Sequence, residues 1–530
     1  MRHDPWAVSA YAGLLLLLGW VVAFSRDAGL IWDEWLHVEY GERILRWFGS
    51  RFHDNGALHY RNLYLYGGLF DAPAQWLARR SPLGVYETRH VLSAVVAALG
   101  VIAAYRIAAR LGGSRAGFLA GATLFLTPAW TGHGLFNPKD IPFGTAAAFT
   151  CYASVAIAMG PALLSWRAAL FGGLCVGAAV GVRSGGLFLF GYVACTAYGR
   201  ALLDIVTRSG RRETLRGLRL VGQVTLRLCA AAALAWGLML SFWPWAQVSP
   251  WRRPLEGARR AARFRWAGDV LFEGHVFVPT DLPYSYLPKW FAMTLPEFYL
   301  VALLAGLLAL AVALRARPRA WISPKGLALA FLLGSVGAPL IGAMVMRAGV
   351  YDAHRHFLFL MPPLAALAGV ALSGGLDVLR SRQARVALWA VWLAGASVTA
   401  RDMIAMHPYE YTYFNRLSGG LRAAAGRFEI DYWGASYEAG LAWLVQHVPK
   451  SRKVFRVANC SVPAQTEYYL ERWAKAGEHF RFTENRKRAD FLLATTRYGC
   501  HKAEGEVLHT VEREGVPLLY VIRLRHRGSR

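Results

Sequence analysis

The sequence predicts an α-helical polytopic membrane protein of about eleven transmembrane helices with a small C-terminal α/β domain on the outer face. Three observations carry this. Apolar runs of about 17–25 residues, enough to span a bilayer, recur along the chain. Of its 530 residues, 55% are hydrophobic and only 17% charged, too apolar a balance for a soluble protein of this size. After about residue 400 the apolar runs shorten and charged residues become frequent.

Spans are expected near residues 7–24, 88–109, 115–131, 142–160, 167–182, 186–207, 218–243, 295–314, 325–346, 356–375 and 385–400. The first run is long enough to remain a span, and no cleavable signal peptide is evident. Between the first two spans lie amphipathic segments at 34–48 and 62–78, with aromatic residues on one side and charges on the other, as helices at a membrane interface have. Beyond residue 400, helices are expected at 441–447 and 465–476 and short strands at 453–457, 491–494 and 518–522. The membrane part is thus residues 1–400 and the outer domain 401–530.

The formal charge of +26 would point to nucleic acid in a soluble protein. Here arginine-rich loops beside spans account for it through the positive-inside bias, and nucleic-acid binding is excluded. With the N-terminus inside, the inner loops hold Arg110, Arg115, Arg167 and the basic stretches 208–219, 315–319 and 380–385. The acids Asp33, Glu34, Asp54, Asp71, Asp140, Asp269, Glu273, Asp281 and Asp352 then lie outside. Residues 251–265 are rich in arginine yet fall on the outer side: either the span count is off by one, or they face an anionic partner, as a basic amphipathic helix on anionic lipid does. Cys151, Cys175, Cys195 and Cys229 fall in apolar runs and read as core residues. Cys460 and Cys500 fall in the polar part and are able to pair if it faces an oxidising compartment; their spacing does not settle this.

Five stretches hold polar groups beside spans, where such groups are expensive and often functional. Ile31-Trp32-Asp33-Glu34-Trp35 places two carboxylates just outside the first span, between tryptophans of the interfacial kind. A carboxylate there is able to deprotonate an attacking hydroxyl; an ordinary loop acid is the plainer reading. The loop from His133 through Asn137-Pro138-Lys139-Asp140-Ile141-Pro142 is short, stiff and polar. Its lysine is a compact charge suited to phosphate, and Asp140 either orients an acceptor or pairs with Lys139. Arg183 is a cation at the outer end of a span, against the usual bias, or a snorkelling arginine. Tyr351-Asp352-Ala353-His354-Arg355-His356 gathers cations able to hold a departing phosphate. His354 and His356, two apart, do not share a helix face and make a poor metal pair. The fifth stretch, from His407-Pro408-Tyr409 to Asp431-Tyr432-Trp433-Gly434, suits sugar stacking or plain packing of the outer domain on the membrane part.

Together the Asp33-Glu34 pair after the first span, the interfacial segments, the span number and the small outer domain resemble the GT-C superfamily of glycosyltransferases. The nearest branches are the protein O-mannosyltransferases and the lipid A aminoarabinose transferases. The Asn137–Pro142 run is similar to one found in bacterial members. The resemblance covers about residues 1–400. It departs from the mannosyltransferases in lacking room for a β-trefoil insert between Trp245 and Leu295, and from oligosaccharyltransferases in lacking an evident Trp-Trp-Asp motif.

The resemblance implies a hexosyl- or pentosyltransferase with a polyprenyl-phosphate-linked sugar as donor. Transfer would be inverting, on the periplasmic face of the bacterial plasma membrane, to an envelope glycan, lipid or protein acceptor. Asp33 would be the general base, with Glu34 and Asp140 beside it. Lys139, Arg183, His354, Arg355 and His356 would hold the donor phosphate, and His133, Asn137 and Tyr351 the acceptor or sugar. No cofactor and no metal are implied. The competing reading is a transporter or flippase of a lipid-linked sugar, which would place polar residues at mid-span depth and show paired repeats; the ionisable residues cluster at one face instead. A third is a non-catalytic assembly partner.

Overall fold

The computed structural model describes residues 5–207, 212–264, 266–316, 318–449, 454–473 and 478–525. Arg208, Arg211, Arg265, Arg317, Lys453 and Ala476, at or within expected segments, lie outside them. The first apolar run is helix α1 (Pro5–Phe24). An amphipathic helix α2 (Glu34–Gly49) follows, then a short α3 (Asp71–Ala78). The second interfacial segment is therefore helical only from Asp71; residues 62–70 form a turn and a loop. The long α4 (Val85–Phe125) breaks at Gly113, whose φ of 80° lies in the left-handed region, so it serves as two expected spans joined by a tight corner. The short α5 (Pro128–Gly134) starts with proline at its first turn, where no N–H is missed.

Helices α6 (Asp140–Ala158), α7 (Trp166–Val182), α8 (Phe188–Thr207) and α9 (Arg212–Ser241) come next, then the short α10 (Pro244–Val248) and the basic α11 (Arg252–Ala262). A small hairpin, β1 (Val270–Phe272) and β2 (His275–Phe277), precedes α12 (Tyr286–Thr294). The remaining apolar helices are α13 (Glu297–Ala316), α14 (Pro324–Val345), α15 (Met361–Val378) and α16 (Arg382–Met406). Serines start three of these helices. Ser165, Ser323 and Ser381 each accept from the backbone N–H three residues on, which satisfies a donor the helix leaves open.

This is a multi-pass membrane protein. Helical structure is present at each expected span. Among the described residues seven helical stretches are long and apolar enough to cross a membrane, and Val8–Phe24 and Trp166–Val182 are shorter apolar helices. A count of eleven is not established by length and composition. The core centres on α6, most of which is buried; it packs on α4, α7 and α8, while α4 runs along α15.

Beyond α16, the short α17 (Gly420–Ala424) and α18 (Tyr437–His447) lead to a mixed five-stranded sheet. Its strands are β3 (Phe455–Asn459), β4 (Phe480–Phe482), β5 (Phe491–Thr495), β6 (Gly505–Arg513) and β7 (Val516–Leu524), in the order β4-β3-β5-β7-β6, with α19 (Ala464–Arg472) after β3. β3 lies parallel to β4 and β5, while β7 runs antiparallel to β5 and β6. The helices and strands expected here are present with shifted ends. β4, β6 and the β1–β2 hairpin were not expected: β1, β2 and β4 are only three residues long, and β6 is mostly half-buried with polar residues interspersed, so none presents a long apolar run. Cys460 and Cys500 are disulfide-bonded, joining the end of β3 to the turn after β5.

The sheet unit packs on the same end of the helical bundle as α2. Gln465 Nε2 donates to the carbonyls of Leu30 (2.7 Å), Trp433 (3.0 Å) and Gly434 (3.0 Å). The Tyr469 hydroxyl accepts from Leu30 N–H at 2.9 Å.

Candidate active site

Asp33 is the N-cap residue of α2, but its side chain makes no cap hydrogen bond. The carboxylate instead accepts from Lys139 Nζ at 2.5 Å. The loop before it is pinned from behind, where Trp32 N–H donates to the Trp433 carbonyl at 3.0 Å. Gly434, with φ of 70°, gives the turn after Trp433 a conformation that other residues rarely adopt. Lys139 is delivered by the Asn137-Pro138 turn. Asn137 Oδ1 accepts from the N–H groups of Lys139 (3.2 Å) and Asp140 (2.8 Å), which locks the entry into α6.

Asp33 and Lys139 line a polar cavity of about 160 Å³ together with Trp32, His37, Asp352, Arg355, Trp433 and Arg497. Burial pushes the Asp33 carboxyl up, but the Lys139 ammonium and the Arg355 guanidinium outweigh it and hold it below the usual carboxylate range. Burial likewise opposes the Lys139 ammonium, and the Asp33 charge more than offsets it, so Lys139 stays a cation.

Arg355 is fully buried and spans two carboxylates. Its Nη1 donates to Asp140 Oδ2 at 3.2 Å and its Nε to Asp352 Oδ2 at 3.1 Å. It also lies over the rings of Trp433 (4.7 Å) and Tyr351 (4.9 Å). Asp352 further accepts from Trp433 Nε1 at 3.2 Å and from Arg497 Nη2 at 2.8 Å. Asp352 and Ala353 both have positive φ, 55° and 60°. Non-glycine residues in this region cost on the order of 1–3 kcal/mol each and persist where the surroundings over-determine them; the three partners of Asp352 do so here.

A second chamber, about 510 Å³ and mostly apolar, shares Asn62, Tyr66, Phe264 and Tyr351 with the first. Phe143, Phe188, Pro339, Phe357 and Phe359 give it greasy walls, and Arg183, His356 and Arg260 give it charged or polar points. Arg183 is paired with Asp140. The basic helix α11 forms part of this wall. Its Gly257 sits against Trp243 and Trp245, and Arg260 donates to the Tyr64 hydroxyl at 3.0 Å.

The structure brings Asp33, Lys139, Arg355 and Tyr351 to the polar cavity, and Arg183 and His356 to the apolar chamber beside it. It does not bring the other expected residues to either. Glu34 is turned inward, accepting from Ile31 N–H at 3.0 Å and meeting His90 Nε2 at 2.8 Å. Asp140 is 1% exposed and is shared among Asn137, Arg183 and Arg355, so it holds the cations in place. His133 is buried, and burial pushes it down to about 3. The neutral ring bridges Tyr432 hydroxyl (2.9 Å) and Asn137 Nδ2 (3.2 Å). His354 packs against Phe291 and Trp290, and burial pushes it down to about 3 as well, so it is no cation.

The cavity residues not expected include His37, Asp352 and Arg497. Asp352 lies inside a stretch singled out above, and His37 follows the acidic pair by one helical turn. Arg497 carries no local signal, because it comes from the sheet unit. Its neighbour Glu429 is buried, and burial raises its carboxyl from the ordinary 4.5 to about 7, with Asp352 adding to the rise and Arg497 opposing it. A raised acid binds its proton more tightly in the folded state, so folding stability is expected to fall as pH rises from about 4.5 through about 7. Glu429→Gln should flatten that part of a thermal-denaturation pH series; an unchanged slope would exclude Glu429 as its source.

Among the described residues no group of three or more His, Cys, Asp or Glu is placed to hold a metal. No family model matches the sequence. No curated protein matches it. Solved structures are similar over most of the chain. ArnT from Cupriavidus metallidurans in the apo state is 15% identical with a TM-score of 0.49, covering 98% of this chain and 97% of that one. The same protein bound to undecaprenyl phosphate is 15% identical with a TM-score of 0.48, covering 98% of each chain. The Archaeoglobus fulgidus oligosaccharyltransferase in its apo form is 13% identical with a TM-score of 0.46, covering 91% of this chain and 65% of that one.

Proposed function

We propose that the chain is an inverting glycosyltransferase that moves a sugar from a polyprenyl-phosphate donor to a hydroxyl of an envelope glycan, lipid or protein, with Asp33 as general base. The reaction would take place at the periplasmic face of a bacterial plasma membrane. One observation carries this reading: the Asp33–Lys139 pair lies in a polar cavity that shares a wall with an apolar chamber bearing Arg183 and His356. The polar cavity suits a sugar, the greasy one a prenyl chain, and the cations between them a phosphate. Lys139, Arg183, Arg355 and Arg497 face Asp33, Asp140 and Asp352, one positive charge in excess.

As the bond from the anomeric carbon to the phosphate oxygen breaks, its electron pair leaves with the phosphate. Fixed cations stabilise that developing charge without reorganising, which is where enzymes gain most. The acceptor hydroxyl attacks from the opposite side and its proton goes to Asp33. A donor phosphate that draws Lys139 towards itself also loosens the Asp33 ion pair. Asp33 then becomes a better base only when a donor is in place.

The test uses the purified chain with a polyprenyl-phosphate sugar and envelope acceptors, read by mass spectrometry. An inverted glycoside and free polyprenyl phosphate are expected. Lys139→Met should weaken polyprenyl-phosphate binding by about 10–100-fold, the loss of one hydrogen bond to a charged group. Unchanged affinity would remove Lys139 from the phosphate site. Movement of the lipid-linked sugar across a proteoliposome membrane with no glycoside formed would favour the transporter reading instead.

A further inference from the structure

A histidine–carboxylate pair stands beside Asp33 and has no part in that scheme. His37 lies one turn after Asp33 on α2, so the two share a helix face, and both line the polar cavity. His37 Nδ1 meets Asp71 Oδ2 at 2.8 Å, with both side chains almost wholly buried. The other Asp71 oxygen is paired with the buried guanidinium of Arg89. Burial pushes the Asp71 carboxyl up, but His37 and Arg89 outweigh it and hold it below the usual range. An ionised carboxylate only accepts hydrogen bonds, so Nδ1 carries the proton of the neutral ring. In that tautomer the lone pair is on Nε2. That Nε2 is buried and has no hydrogen-bond partner. A buried polar atom without a partner costs about 1–3 kcal/mol, and this one belongs to a ring that lines the cavity. His90 is the contrast: it bonds Glu34 through Nε2 and lines neither chamber.

Resting on the glycosyltransferase reading, we propose that His37, held in one tautomer by Asp71, takes the acceptor's proton on from Asp33. The acceptor oxygen bonds to the anomeric carbon as the bond to phosphate oxygen breaks and its electron pair leaves with the phosphate. The hydroxyl proton passes to Asp33 and from it to His37 Nε2. The resulting imidazolium is paired with Asp71, and the proton passes to water after product release. Asp33 sits between Lys139 and Arg355, where a neutral carboxyl is disfavoured, so it is a poor resting place for a proton. The charged groups around His37 are Asp33 on its own helix, Asp71 from α3, Arg89 of α4 behind Asp71, and Lys139 beyond Asp33. Asp71 acts as a positioning residue.

The experiment compares His37→Ala with the unchanged full chain in detergent, measuring kcat, donor KM and polyprenyl-phosphate affinity. Loss of proton transfer should lower kcat by about 100-fold or more, with KM and affinity nearly unchanged. Added imidazole should restore much of the rate, while pyrazole, a ring of equal size and far weaker basicity, should not. His37→Gln keeps most of the volume and should be as slow; it carries the test if the alanine variant fails to fold. A near-normal kcat in either variant, or equal rescue by both rings, would overturn the proposal and leave the glycosyltransferase reading intact. Absence of transfer by the unchanged chain would remove that reading and this role with it.

Discussion

Asp33→Asn is expected to lower kcat by about 10²–10⁴-fold, the usual contribution of a general base, while donor affinity holds or rises. An amide keeps the size of the carboxylate but takes no proton at neutral pH. It also releases Lys139 from its 2.5 Å ion pair, which leaves the ammonium free for phosphate. The combination is diagnostic, since a variant that merely unfolds loses binding as well. Single-turnover transfer and a titration with polyprenyl phosphate would measure both. Transfer at the normal rate in Asp33→Asn would end the assignment of Asp33 as base. Asp33→Glu should fall between, because the extra methylene moves the proton-accepting oxygen along the cavity.

The second large effect is expected on stability. Arg355→Met removes the cation shared by Asp140 and Asp352, each at most 4% exposed at the side chain. Breaking a buried ion pair by deleting one partner costs about 3–5 kcal/mol, and the low end is expected here because Asp140 keeps Arg183 and Asp352 keeps Arg497. Asp352 and Ala353 are also held in their strained conformation through this arginine, so the loop carrying Tyr351 should relax out of the cavity wall. Thermal unfolding in detergent would show the loss, and transfer would fall with it. Pairing Arg355→Met with Asp352→Asn should recover part of the stability and none of the activity. No recovery would mean that ring packing on Trp433 and Tyr351, rather than charge, is what Arg355 supplies.

The membrane architecture and part of the site were legible because both follow from local rules. Apolar runs mark helices, and polar groups next to them stand out against the cost of keeping them there. That is how Asp33, Lys139, Arg183, Arg355 and His356 stand out as candidates. Glu34 and Asp140 were legible as polar residues but not as buried ones. Neighbouring residues at a helix start point in directions about 100° apart, so Asp33 faces the cavity while Glu34 faces His90. His354 and Arg355 differ in the same way. Arg497 was not legible: its partner Asp352 is 145 residues away in sequence, and nothing near it differs from an ordinary exposed turn. The basic stretch at 251–265 was expected as a helix on anionic lipid. Arg252–Ala262 is a helix, and its packing on Trp243 and Trp245 gives it a place in the chamber wall that charge alone did not indicate.

The stitching of Leu30 to Gln465 and Tyr469 has a consequence for how the molecule comes into being. These partners are 435 and 439 residues apart. At roughly 5–20 residues per second, the first loop leaves the ribosome on the order of tens of seconds before the residues that clasp it. During biogenesis the earliest helices therefore insert with their polar mouth open. A product terminated ahead of residue 465 would present Leu30 and the loop before Asp33 without this clasp.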